Sequence, residues 1–360
     1  MSKILYAAST ASHIKSFHIP YIEALRAEGH QVLTMAKGEG VDFDIPFEKK
    51  ILSLKNSKCR KMIKEILRSE EFDLIILNTS LAAFHIRLAA GKRRPRIINI
   101  VHGYLFSLGS KGLKAKIKAR LLLLAEQILR RKTDGIITMN NEDLKIATKY
   151  RLSLEETENC KGMGVPKKEF SCSREQIREE LDSSDSFAML FVGELSGRKN
   201  QELLIRAVPE IKSRIPNAKL WLVGDGELSE YLGELSARLG VENSVKLIGR
   251  RRNPQDYMRA ADLYVSPSKI EGLPFNVAEA MSVGCTCVLS DIKGHRDMAE
   301  LGGAILYAEG DISELCQKIY DVYDGRTVLM RENIAESYDR YSFEKVFLDT
   351  YEKIKRIGGV

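Results

Sequence analysis

Short apolar runs of three to six residues recur along this chain, each followed by a loop and a segment of helical period, and this alternation limits the fold more than anything else in the sequence. Lys3–Ala8, Gln31–Met35, Leu74–Leu77, Arg96–Val101 and Gly135–Met139 form a first series. After a polar, charged stretch from Lys167 to Ser186 the alternation restarts with Phe187–Val192, Lys219–Val223, Val245–Ile248, Leu263–Val265 and Cys285–Leu289. Runs that are apolar throughout suit strands covered on both faces, so each series predicts a parallel sheet between helices. Between the runs, Phe17, Tyr21 and Leu25 share a helix face, and Gly29-His30 stops that helix. A chain of 360 residues also exceeds what one core usually organises. The expected class is therefore α/β, two doubly wound domains facing a cleft, with ligand at the carboxyl ends of the strands.

No stretch approaches the roughly 18 apolar residues of a bilayer span, and the apolar start after Lys3 is too short and too soon polar for a signal peptide, so the expected location is the cytoplasm. Six cysteines show no C-x-x-C pair and no His partners at zinc spacing, which reads as reduced thiols. The net charge of +7 is concentrated. Twelve Lys or Arg and one acid, Glu126, fall between Lys92 and Lys132, leaving the rest of the chain net negative. Within this segment Lys111, Lys114, Lys116, Lys118 and Arg120 accompany Leu113, Ile117, Leu121, Leu124 and Ile128 at helical spacing. Such a helix can lie on an anionic membrane surface, or it can be a domain helix with its leucines in the core and its lysines in water. A nucleic-acid partner is not expected, because the patch lacks interleaved aromatics and any recognised module.

The chemistry concentrates around Glu271 and Glu279, eight positions apart in Ser266-Pro-Ser-Lys-Ile-Glu-Gly-Leu-Pro-Phe-Asn-Val-Ala-Glu-Ala-Met281. Gly272, Leu273 and Pro274 form a turn, and Pro274 suits the first helical position. Backbone N–H groups at that helix start would face an anion such as a diphosphate. Arg198 and Lys199 follow the strand-to-loop turn Val192-Gly193-Glu-Leu-Ser-Gly197 and supply cations for a departing diphosphate. Lys199 is the stronger candidate, since adjacent loop residues need not point the same way. His102 sits at the carboxyl end of its strand in Val101-His-Gly-Tyr-Leu-Phe106. Ser12, His13 and Lys15 follow the first strand, in a loop that would face acceptor or donor, whereas His18 shares a helix face with Tyr21 and reads as packing. Asp42-Phe-Asp44 reads as a surface loop rather than a metal site. Gly224-Asp-Gly226 lacks the full spacing of a dinucleotide fingerprint.

These motifs together resemble the retaining glycosyltransferases of family 4, with their E-x7-E signature, over nearly the whole chain and most densely from Val192 to Asp291. Ser9–Tyr21, the Val-His-Gly-Tyr segment and Asp291–Asp297 further resemble enzymes that build bacterial capsular or exopolysaccharide repeats on a lipid carrier. The resemblance implies a GT-B fold: an acceptor-binding Rossmann-like domain over 1–170, a nucleotide-sugar-binding one over 171–340, and a helix over 341–360 packing back on the first. It implies a nucleotide-sugar donor of the UDP-sugar class, a lipid-linked saccharide acceptor, peripheral attachment to the inner face of the membrane, and neither metal nor cofactor. By the same resemblance Glu271 and His102 meet the donor sugar, Glu279 holds the ribose, and Gly193, Arg198, Lys199, Gly272, Leu273 and Pro274 bind the donor. Retention would proceed on the front face, the leaving phosphate helping to deprotonate the acceptor. Glu194 departs from the family's usual Arg. That departure keeps open a catalytically silent sugar-nucleotide-binding partner of another transferase, beside a nucleotide-sugar epimerase of the same architecture.

Overall fold

The computed structural model describes residues 1–51, 53–91, 94–106, 112–167 and 169–360. The chain divides into two compact units, Met1–Gly164 with Glu344–Val360, and Val165–Phe343.

The first unit contains the strands β1 (Lys3–Thr10), β2 (Gln31–Lys37), β3 (Phe43–Asp44), β4 (Leu74–Asn78), β5 (Arg96–Val101), β6 (Gly135–Thr138) and β7 (Thr157–Asn159). They pair in parallel in the order β3-β2-β1-β4-β5-β6-β7. The continuous apolar character of β1, β4 and β5 has its cause here, since Leu5, Ile75, Ile76, Ile97 and Ile98 are all sealed from solvent. Asn140 caps the helix Asn141–Lys149 by accepting from the Asp143 amide at 2.8 Å. The last helix, Phe343–Gly358, belongs to this unit from Glu344 onward. Thr350 Oγ1 donates to the Gly162 carbonyl at 3.1 Å and Lys353 Nζ to the Asn159 carbonyl at 3.0 Å. A Cβ on Gly135 would lie 2.0 Å from Ile357 Cγ2, so the helix lies directly on β6.

The second unit contains β8 (Phe187–Val192), β9 (Ala218–Val223), β10 (Val245–Gly249), β11 (Leu263–Ser266), β12 (Cys287–Ser290) and β13 (Ile305–Tyr307). Its sheet is also parallel, in the order β10-β9-β8-β11-β12-β13. A core of Phe191, Leu204, Ile211, Leu222, Leu232, Leu263 and Leu315 packs between this sheet and its helices. Buried Arg178 fixes the start of the sheet, its guanidinium meeting the Ala260 carbonyl at 2.8 Å and the Asp262 carboxylate at 3.2 Å. The chain passes between units at Gly164 and Val165, directly after Gly162-Met-Gly164. All six cysteines are free thiols.

Both sheets reverse strand order once, between β1 and β4 and between β8 and β11. In open α/β sheets the loops leaving such a point at the carboxyl ends of the strands diverge and open a crevice. The candidate residues collect at these two places.

Candidate active site

In the second unit the loop after β8 carries Arg198 and Lys199, and the loop after β11 carries Glu271. The loops are stitched by backbone and side chain: the Lys269 amide donates to the Arg198 carbonyl at 2.9 Å, and Asn200 Nδ2 to the Pro267 carbonyl at 3.3 Å. Both cations converge on one carboxylate. Lys199 Nζ lies 2.6 Å from Glu271 Oε1 and Arg198 Nη1 2.8 Å from Glu271 Oε2. Arg198 therefore does point with its neighbour, although it remains half-exposed while Lys199 and Glu271 are buried. Burial opposes the charge on Glu271, but Lys199 and then Arg198 outweigh it and bring its pKa down to about 2. The carboxylate is ionised and can accept only hydrogen bonds.

In the same unit, Val192, Gly193, Glu194, Val223 to Gly226, Arg250, Arg251 and Pro254 line a depression of about 480 Å³. Gly224 has φ +143°, and a Cβ there would stand 1.9 Å from the Gly193 carbonyl oxygen, so only glycine lets the two loops touch. The Glu194 side chain is exposed, while its carbonyl accepts from Gln201 Nε2 at 2.8 Å.

Gly272, Leu273 and Pro274 lead from Glu271 into the helix Phe275–Ser282. Pro274 is the capping residue, one position before the helix, rather than the first helical residue expected from sequence; its carbonyl accepts from the Val277 amide at 3.0 Å. Asn276 Nδ2 donates to the Val192 carbonyl and the Tyr264 hydroxyl, both at 2.7 Å, tying the helix start to the end of β8 and to a side chain of β11. Leu273 is buried and packs. Glu279 lies on this helix, and its Oε1 accepts from Gln255 Nε2 at 2.9 Å. A Cβ on Gly294 would lie 2.7 Å from the Gly272 carbonyl oxygen, so the segment after β12 presses on the Glu271 turn. That segment delivers His295, which is fully buried. Burial, offset in part by the Glu271 carboxylate, lowers its pKa to about 4. Its Nδ1 contacts the Ser290 carbonyl at 2.8 Å. Gln255 and His295 are additions to the expected set, since each reaches its partner only through folding.

In the first unit His102 stands at the end of β5 and meets Asn78, the last residue of β4, through Nε2 at 3.4 Å from Oδ1. Two more imidazoles join it. The ring of His13 is centred 4.6 Å from that of His102, and the ring of His18 5.2 Å. His18 does pack as expected, fully buried with Nδ1 3.0 Å from the Tyr6 hydroxyl, but it packs into this histidine cluster. Burial depresses the pKa of all three, that of His13 to about 4, so the rings are neutral near pH 7.

The segment Ser9–His13 is not the loop its sequence predicts: β1 runs to Thr10, which caps the helix Ala11–Phe17 by accepting from the His13 amide at 3.3 Å. Within that helix only His13 turns toward His102. Ser12 is exposed and bonds Thr10 Oγ1 at 3.1 Å, while Lys15 Nζ donates to the Glu39 carbonyl at 3.0 Å. Asp42-Phe-Asp44 is not the surface loop expected, because Phe43 and Asp44 form the edge strand β3; Asp42 accepts from the Thr34 amide of β2 at 2.7 Å and Asp44 from the Gly38 amide at 2.9 Å.

Lys111 lies outside the described residues, whereas Lys114, Lys116, Lys118 and Arg120 are exposed on the helix Leu113–Leu129. The leucine stripe is exposed as well: Leu113, Ile117, Leu121, Leu124 and Ile128 keep 49 to 75% of their surface. Ala119, Leu123 and Leu129 make the buried face instead, so the stripe is not the core of this unit. No helix among the described residues is long and apolar enough to cross a membrane.

Residues 173–340 match the family described as Glycosyl transferases group 1. Along 98% of its length the chain is 28% identical to the putative glycosyltransferase EpsD of Bacillus subtilis, covering 99% of that protein. Over 78% of its length it is 25% identical to the UDP-Gal:alpha-D-GlcNAc-diphosphoundecaprenol alpha-1,3-galactosyltransferase of Escherichia coli, covering 74% of it. The crystal structure of Anabaena HepE in complex with UDP and glucose superposes with a TM-score of 0.78 at 20% identity, covering 99% of this chain and 100% of that one. With two parallel α/β units of this topology, the chain has the GT-B fold; the segment that matches Glycosyl transferases group 1 carries Lys199, Glu271 and Glu279, and the chain along nearly its whole length is similar to a bacterial glycosyltransferase.

Proposed function

We propose that this protein is a retaining glycosyltransferase of family 4 that moves a sugar from a UDP-sugar to a lipid-linked saccharide during cell-surface polysaccharide synthesis. The observation that carries the reading is the buried Glu271 carboxylate gripped by Lys199 and Arg198 at the strand-order reversal of the second unit. Lys199 and Arg198 bind the donor diphosphate and stabilise it as it leaves, without a metal. Glu271, kept ionised, then accepts from hydroxyls of the donor sugar. Gly193 and Gly224 leave room for the nucleotide in the depression, and Glu279, oriented by Gln255, holds the ribose. His102, neutral and held by Asn78, orients the sugar. The departing phosphate takes the proton of the acceptor hydroxyl as that oxygen attacks from the same face. The undecaprenol-linked substrate in the name of the E. coli relative and the UDP bound by HepE support the acceptor and donor classes.

The protein works on the cytoplasmic face of the membrane, resting on anionic lipid through Leu113–Leu129. Support comes from the exposed leucine stripe beside Lys114, Lys116, Lys118 and Arg120, an arrangement that apolar insertion and headgroup charge stabilise together.

A panel of UDP- and GDP-sugars, incubated with and without bacterial lipid-linked saccharides, tests the reading by nucleotide release and mass spectrometry. Release together with a lipid one sugar heavier supports it. Donor binding with no transfer to any acceptor, or conversion of the sugar nucleotide alone, overturns it.

A further inference from the structure

Among the described residues, His13, His18 and His102 are the one group of three or more metal-ligating side chains whose ligand atoms all lie within 4.8 Å of one another. They come from two places in the sequence, 84 residues apart at the nearest, and meet beside the strand-order reversal of the first unit. Nε2 of His13 and Nε2 of His18 are buried with no hydrogen-bond partner, an arrangement that wastes two strong ring acceptors or donors unless something else engages them.

The surrounding hydrogen bonds orient the rings. Asn78 Nδ2 donates to the Ala7 carbonyl at 3.3 Å, so Asn78 presents Oδ1 to His102 and accepts from its Nε2–H at 3.4 Å. A neutral His102 protonated on Nε2 carries its lone pair on Nδ1. Tyr6 holds Nδ1 of His18 at 3.0 Å, leaving Nε2 for another partner. One ring nitrogen tied to a protein group and the other left open is the pattern by which proteins aim metal-binding imidazoles.

We propose that His13, His18 and His102 form a three-histidine site for a borderline divalent cation of the Zn²⁺ class, with a fourth position open to solvent. Three neutral imidazoles suit Zn²⁺, Co²⁺, Ni²⁺ or Cu²⁺, whereas Mg²⁺ and Ca²⁺ demand oxygen. A Zn–N bond of about 2.0–2.1 Å sets tetrahedral nitrogens about 3.4 Å apart, so closure from spacings under 4.8 Å needs ring movements of about an ångström. His13 and His102 are only part-buried, which gives an ion a way in and keeps one coordination position wet. Occupancy consumes the His102 lone pair, and on the proposed function, where His102 serves the donor sugar, the ion inhibits transfer.

The test uses the full chain, stripped with chelator and titrated with Co²⁺ and then Zn²⁺ as competitor. One equivalent of Co²⁺ with visible bands of nitrogen ligation, displaced by Zn²⁺, and binding at least about tenfold weaker in His13→Asn and His18→Gln, supports the site. Absence of binding by the folded protein, binding untouched by both substitutions, or near-ultraviolet thiolate bands that place the ion on cysteines, overturns it. His13→Asn, on the part-buried ring, keeps the result readable if His18→Gln does not fold. Transfer assayed with and without Zn²⁺ should fall in the wild type and respond less in His13→Asn; bound Zn²⁺ with undiminished transfer overturns the inhibitory role. A protein that binds Co²⁺ but transfers no sugar leaves the metal site standing and removes the transferase reading.

Discussion

Lys199 Nζ lies 2.6 Å from Glu271 Oε1, and the two residues sit on loops that leave β8 and β11, the neighbours at which the second sheet reverses its strand order. Because both groups are buried, each is the other's main compensation for lost hydration. Replacing Lys199 by Ala leaves Glu271 with Arg198 as partner, so the fold persists at a cost of about 3 kcal/mol or less, while turnover falls about a hundredfold or more. Circular dichroism with initial-rate measurements checks this, and near-normal turnover in folded Lys199→Ala removes that residue from the mechanism.

Acid should destabilise the protein in two stages. His295 has a folded pKa of about 4, below its unfolded value, so its contribution is complete above about pH 6.5 and is lost as pH falls toward 4, on the order of 3 kcal/mol at most. Glu271, at about 2, contributes fully above its unfolded pKa of about 4.3 and loses that contribution as pH falls further. Thermal melts of the wild type and His295→Gln between pH 7 and 4 should show a shallower pH slope in the variant. Parallel slopes count against the assignment.

Glu194 places an exposed carboxylate on the rim of the depression, on the same loop after β8 that carries Lys199. Neutralising it in Glu194→Gln should tighten binding of a nucleoside diphosphate roughly several-fold, more at low salt, by removing repulsion. Calorimetric titration with UDP at two salt concentrations reads the change, and unchanged or weaker binding contradicts it.

Gly224→Ala should cost more than about 2 kcal/mol, because the new methyl carbon would lie 1.9 Å from the Gly193 oxygen in a backbone region that L-residues avoid. Melting temperature and UDP affinity should fall together. An unshifted melting temperature would mean that the two loops are held less tightly than they stand.

The leucine stripe of Leu113–Leu129 offers a direct membrane test. Leu121→Ser with Leu124→Ser, both exposed, should leave the melting temperature unchanged and weaken co-sedimentation with anionic vesicles by about tenfold or more. High salt should weaken the wild type too. Equal sedimentation of variant and wild type, or none of either, contradicts the proposal.

The sheets are legible in the sequence because their central strands are apolar on both faces, as in Leu74–Asn78 and Phe187–Val192. The edge strands β3, β7 and β13 are not, being two or three residues long and part-exposed. Glu271, Glu279 and Lys199 stand out because local motifs carry them. Gln255, His295 and the meeting of His13 and His18 with His102 do not, because strand order, which no local pattern encodes, brings them to their partners. The helix Leu113–Leu129 shows a third limit: apolar residues nearly all round supply Leu123 and Leu129 for burial, so periodicity alone cannot say that the Leu121 and Leu124 face stays open.

The most direct measurement is the mass and anomeric configuration of the lipid product formed from an α-configured UDP-sugar, by mass spectrometry and proton NMR. The expected result is a lipid-linked saccharide heavier by one sugar, joined through an α bond, with one UDP released for each transfer and no product from Lys199→Ala. A β-linked product would contradict retention, and UDP release or sugar conversion without a heavier lipid would contradict transfer itself.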